Sequence, residues 1–130
     1  MLKAEKGQSV VELALLLPIL MIILTGVVDL GRAFNAYITI TNAAREGARY
    51  GSLNPTDTNG IKARVMGEAA GSGVSVEEGD IPAPTCDPSC EPGNTICVEV
   101  HHDFPLLTGF VVSGGAIQLV SSAEMVILGE

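Results

Sequence analysis

The sequence predicts an α+β protein: a long N-terminal helix, transmembrane at first and then amphipathic, followed by a small antiparallel-sheet domain with one short helix. Three observations carry this prediction. Leu13–Val28 (LALLLPILMIILTGVV) contains no charge. Residues 29–50 continue with helical spacing and no break. Beyond residue 50 the chain turns acidic and breaks into short apolar segments divided by Gly, Pro and Asn.

The long helix is justified first. Adding Val10 and Val11 extends the apolar run to Val10–Val28, interrupted only by Glu12. As a helix this run rises about 28 Å, close to the hydrocarbon thickness of a bilayer. Pro18 lies inside it, which membrane helices tolerate. Lys3 and Lys6 precede it, so the positive-inside rule places the N-terminus in the cytoplasm and everything after residue 28 outside. No small-x-small cleavage site follows the run, which argues against a secretory signal peptide. The run is apolar on every face, so a soluble domain of this size could not cover it.

A carboxylate two residues into an apolar span needs a reason. Glu12 either marks the start of the span among head groups or has a partner. Cutting the chain after Gly7 would make Gln8 the first residue and Glu12 the fifth. The cut would also create an α-amino cation, able to neutralise a neighbouring chain's Glu12 and set the stagger between chains.

Past Asp29 the helix is amphipathic. Leu30, Phe34, Tyr37, Ile38, Ala44 and Ala48 form an apolar stripe, with Arg32, Asn35, Thr39, Asn42, Glu46 and Arg49 opposite. Ala43, Ala44, Gly47 and Ala48 are small and four apart in pairs, which permits close approach of another backbone. That backbone belongs either to this chain's own domain or to another subunit. Gly51 and Asn54-Pro55 end the helix.

These features resemble two nested groups. The basic leader ending in Gly7, with Glu12 as the fifth residue after it, resembles the class III, type IV pilin-like prepilins. GQSVVELALLLPILMIILTGVVDLGRAFNAYITITNAAREGARYG (7–51) resembles the TadE-like family of the tight-adherence (Flp, type IVc) pilus system. The GQ-x-x-VE start, the D-x-GR step at Asp29–Arg32 and the NAAREGARYG end carry the resemblance. Leu13 stands where many family members have an aromatic. The resemblance implies a pilin-like minor pilin or pseudopilin of the bacterial inner membrane. It implies prepilin peptidase cleavage between Gly7 and Gln8, registration by Glu12, and a part in building an adhesive pilus. The implied partners are other pilins or pseudopilins in a homo- or hetero-oligomer, the peptidase, the inner-membrane assembly platform and the lipid bilayer. The domain plan is then a leader (1–7), a helix (8–50, transmembrane over 10–28 and amphipathic over 29–50) and an extracytoplasmic domain (51–130). At this length the chain resembles the short TadE-type members more than the longer TadG-like ones.

The outer domain is read element by element. Residues 51–60 form a turn-rich linker. Ile61–Ala70 forms a short helix with Ile61, Val65 and Ala69 aligned. Val74-Ser75-Val76 begins a strand, 79–94 is loop, and Ile96, Val98 and Val100 alternate as a half-buried strand. Ile117, Leu119, Ser121, Ala123, Met125 and Ile127 share one face of a last strand. So small a unit calls for a staple. An oxidising compartment makes a disulfide the default. Cys86–Cys90 is favoured because Asp87-Pro88-Ser89 can turn the chain, with Cys97 as the alternative partner. Phe104–Leu107 and Phe110–Val112 form an apolar stretch that either plugs the core or meets another surface; the core is favoured.

Composition narrows the function. The chain carries a net charge of −8, with residues 1–50 at +1 and 51–130 at −9. It has no Trp, so a basic, aromatic nucleic-acid surface is not expected. His101 and His102 are adjacent on a strand and point to opposite faces, so they do not make a metal pair. No catalytic constellation, metal motif or cofactor motif is expected. The reading is a structural, non-enzymatic subunit. The alternative is a membrane-tethered binding module that never joins a filament.

Overall fold

The computed structural model describes residues 3–111 and 114–128; Met1 and Leu2 of the expected leader and Val112 of the apolar stretch lie outside them. Helix α1 (Lys3–Leu53) runs without interruption through Pro18. Helix α2 (Thr58–Gly71) follows, then strands β1 (Thr85–Asp87), β2 (Thr95–Pro105) and β3 (Ala116–Val126). The sheet is antiparallel in the order β1-β2-β3. This is the expected α+β layout.

The sheet and α2 pack against the outer part of α1 only. Ile40, Ala43, Ala44 and Ala48 of α1, Ile61 and Val65 of α2, and Ile96, Val98 and Val100 of β2 are fully buried together. The two-residue alternation of β2 sends Ile96, Val98, Val100 and Phe104 into this core. On β3 the inward set is Leu119, Ser121, Ala123 and Met125, with Ile127 just beyond, while Ile117 is exposed.

Length explains how the hairpin lies. Leu128 donates its N–H to the Ser52 carbonyl at one end, and Leu107 donates to Asp29 at the other. Asp29 and Ser52 are about 35 Å apart along a helix. An eleven-residue strand reaches about 33 Å, so β2 and β3 run the length of the outer helix and bring their connecting turn back to Asp29.

Four expectations are corrected. The helix continues past Gly51 to Leu53, and α2 starts at Thr58, so little linker remains. Pro55, not Gly51, is the effective stop, because the residue before a proline is disfavoured in the helical region. The Asp57 carboxylate accepts the Gly60 N–H at 3.0 Å and caps α2 directly. Val74–Val76 is not a strand: its valines are buried as core filler, and the Val74 N–H bonds the Ala69 carbonyl at the end of α2. The third strand comes instead from Thr85–Asp87, inside the expected loop, which pairs with β2 from Thr85↔Cys97 to Asp87↔Thr95.

The third correction concerns the amphipathic stripe. Leu30, Phe34, Tyr37 and Ile38 are exposed, whereas Ala36, Thr39 and Ile40 are buried with Ala43, Ala44 and Ala48. Where a sheet and a helix approach a third backbone closely, the small residues mark the inner face and the bulky ones stay outside. The fourth concerns the apolar stretch. Phe104 is buried and Leu106 packs on the core, but Leu107, Phe110 and Val111 are exposed.

Candidate functional site

Two features of α1 bear on function: an exposed apolar segment with a carboxylate at its start, and a buried carboxylate at its end. Every large apolar side chain from Val10 to Val28 is exposed. This helix alone, among the described residues, is long and apolar enough to cross a membrane. Gly7, Gln8 and Glu12 lie on its first turns. The Gln8 amide Nε2 donates to Glu12 Oε1 at 3.1 Å, one helical turn away. Gly7 is the weakest helix former of this stretch, by about 1 kcal/mol relative to Ala.

Asp29 ends the apolar segment, and it is 3% exposed. Oδ1 accepts the Leu107 N–H at 2.9 Å and an Arg32 guanidinium N–H at 3.1 Å. Oδ2 accepts the Thr108 N–H and the Thr108 hydroxyl, each at 2.8 Å. Burial alone would push this carboxyl up. The bonds from the Thr108 and Leu107 amides and the Thr108 hydroxyl, with the Arg32 charge, outweigh burial and hold it below its ordinary value of 3.8. Arg32 also lies 5.0 Å over the Phe104 ring, which ties the clamp to the core. Sequence reading found Asp29 only as part of the D-x-GR step. A charged pair directly after an apolar run was the available clue; the partner Thr108, 79 positions away, leaves no local trace.

Ala43, Ala44, Gly47 and Ala48 take the intrachain alternative. The three alanines are fully buried in the chain's own core. A Cβ built on Gly47 would come within 2.5 Å of the Val65 side chain and 3.2 Å of that of Val98. The free outer face of α1 presents Leu30, Phe34, Tyr37 and Ile38 instead.

Cys86 and Cys90 form the disulfide, across the turn that favoured that pairing, and Cys97 is a free thiol. Burial, followed by the Glu124 and Glu99 carboxylates, pushes the Cys97 thiol above its ordinary value of 9.0, so at neutral pH it stays protonated. His101 faces Glu99 on the outer side of β2 and bonds to it. Among the described residues no group of three His, Cys, Asp or Glu side chains is placed to hold a metal ion.

The arrangement defines a class: an α+β protein whose one long helix is bare and apolar over its first part and serves as the spine of a small domain over the rest. Over that helix, residues 7–49 are similar to the family described as TadE-like protein. No curated protein and no solved structure matches the chain.

Proposed function

We propose that the chain is a minor pilin or pseudopilin of the tight-adherence pilus system, a structural subunit rather than an enzyme. It sits in the inner membrane with Lys3 and Lys6 in the cytoplasm and the α+β domain outside. Prepilin peptidase cuts between Gly7 and Gln8, after the weakly helical Gly7 opens the first turn. The new amine of one chain meets Glu12 of another as the bare helix passes from lipid into a bundle, where its apolar faces are covered again. Leu30, Phe34, Tyr37 and Ile38 extend that contact surface above the membrane. The supporting observation is the Gly7–Glu12 spacing at the head of a fully exposed apolar helix that matches the TadE-like family.

The mass of the N-terminus in the membrane fraction tests the reading. A mature chain beginning at Gln8 is expected. Glu12→Ala is expected to insert normally but to lose incorporation into pili. An intact Met1 together with unchanged piliation in that mutant overturns the reading in favour of a tethered module.

A further inference from the structure

We infer that the β2–β3 turn, carrying Leu107, Phe110 and Val111, is a membrane-surface wedge that seats the outer domain in the head-group layer around α1. The inference rests on the reading of Val10–Val28 as a membrane span. Three independent features place lipid, rather than water, against this turn.

The first is level. The turn is clamped to Asp29, the residue directly after the last apolar residue of the span, through the Leu107 and Thr108 amides. The strands that carry it are long enough to return to the membrane surface and no further. The second is backbone satisfaction. The N–H groups of Leu106, Leu107, Thr108, Gly109 and Val111 all have partners within the chain, so moving these five out of water orphans none of them. The third is the set of side chains it displays. Phe110 is 81% exposed, with Leu107 at 50% and Val111 at 51%, while Phe104 and Leu106 of the same stretch are packed in the core. Leu30 is exposed beside the clamp on α1 itself. The apolar surface of the span thus continues onto the turn, and the lipid that covers one reaches the other. An aromatic ring at this depth suits the interfacial layer.

The chain has no tryptophan, so single replacements report cleanly. Leu20→Trp, Phe110→Trp and Tyr50→Trp are made in the full chain and reconstituted into phosphatidylcholine–phosphatidylglycerol vesicles. Some vesicles carry lipids brominated near the head groups and others lipids brominated near the acyl ends. Phe110 is exposed, so its replacement leaves the fold intact. Emission from Phe110→Trp is expected to move to the blue and fall about twofold with shallow bromine, as an interfacial aromatic should. Leu20→Trp is expected to respond to deep bromine, and Tyr50→Trp, about 30 Å above Asp29, to neither. Quenching of Leu20→Trp with none of Phe110→Trp overturns the wedge and leaves the span standing. No quenching at Leu20 overturns the span, and the wedge with it. A blue shift at Phe110 that tracks the protein-to-lipid ratio and ignores bromine assigns the turn to a second copy and overturns the lipid contact.

Discussion

One helix in this chain lives in two surroundings, and the residues that mark each are opposite. Over Val10–Val28 nearly all side chains are apolar, and every large one is exposed, on all faces of the helix. Over 36–52 the buried residues are mostly small: Ala36, Thr39, Ala43, Ala44, Gly47, Ala48, Gly51 and Ser52, with Ile40 the one large member. The first part is left bare by the chain, and the second is covered by the chain's own sheet and α2. On the proposed reading bulk marks contact with a fluid solvent of hydrocarbon, while smallness marks contact with a fixed backbone. A hydropathy reading sees the first kind of contact and misjudges the second.

The contrast is broken most severely by emptying the covered part. Ile61 is fully buried against Gly51 and the core. Ile61→Ala is expected to destabilise the outer domain by about 2–5 kcal/mol. Leu20→Ala, on the bare part, is expected to change that stability by less than about 0.5 kcal/mol. Hydrogen exchange of the β2 and β3 amides in micelles reads both, and comparable effects from the two would dissolve the division.

The disulfide comes next. Cys86 and Cys90 close a loop with a sequence separation of only 4. Replacing both by Ser is expected to cost the outer domain about 2 kcal/mol on the chain-entropy account. The edge strand β1, which contains Cys86, should lose protection first, and α1 below Asp29 should not respond.

Two glycines on the same helix sharpen the comparison at a smaller scale. Gly47→Ala drives a methyl into Val65, with overpacking of about 1–3 kcal/mol, against which the helix gains about 0.5–1 kcal/mol. A net loss of up to about 2.5 kcal/mol is expected. A Cβ at Gly31 meets nothing within 4 Å, so Gly31→Ala is expected to gain up to about 1 kcal/mol. Denaturant midpoints that move in the same direction for both variants would contradict the packing assigned to Gly47.

Much of this architecture was legible in the sequence because its signals are local. The uncharged run, the alternation of Ile96, Val98 and Val100, and a proline turn between two cysteines each need only neighbouring residues. What was missed depends on contacts between distant ones. Thr85–Asp87 is a strand because β2 offers it an edge, and its three residues alone do not announce that. Val74 and Val76 alternate like a strand, yet they serve as plugs. Helical spacing puts the exposed Phe34 and Tyr37 on one stripe with Ala44, and size and apolar ring area favour the aromatics there, whereas close packing selects the alanine. Of the candidate site, Gly7, Gln8 and Glu12 were visible from spacing, while Asp29 became a site only once Thr108 was folded against it.

Asp29 gives the finest test, because it stands where the two surroundings meet. Its carboxyl lies below the ordinary 3.8, chiefly because the Thr108 and Leu107 bonds overcome burial. A lowered value means the clamp contributes fully above the ordinary carboxylate value and is lost as pH falls through the lower, folded one. Protection of the Leu107 and Thr108 amides, corrected for intrinsic exchange, is therefore expected to stay level from about pH 7 to pH 5 and to disappear only below about 3.8. Asp29→Asn removes the charge and turns one of two acceptor oxygens into a donor, although both oxygens are used. At neutral pH it is expected to release the turn, exposing those two amides while leaving Val98 in the middle of β2 protected. Protection that decays between pH 7 and 5 would contradict the lowered Asp29 value, and protection that survives the asparagine would mean the hairpin holds its own end down and the boundary is set by strand length alone.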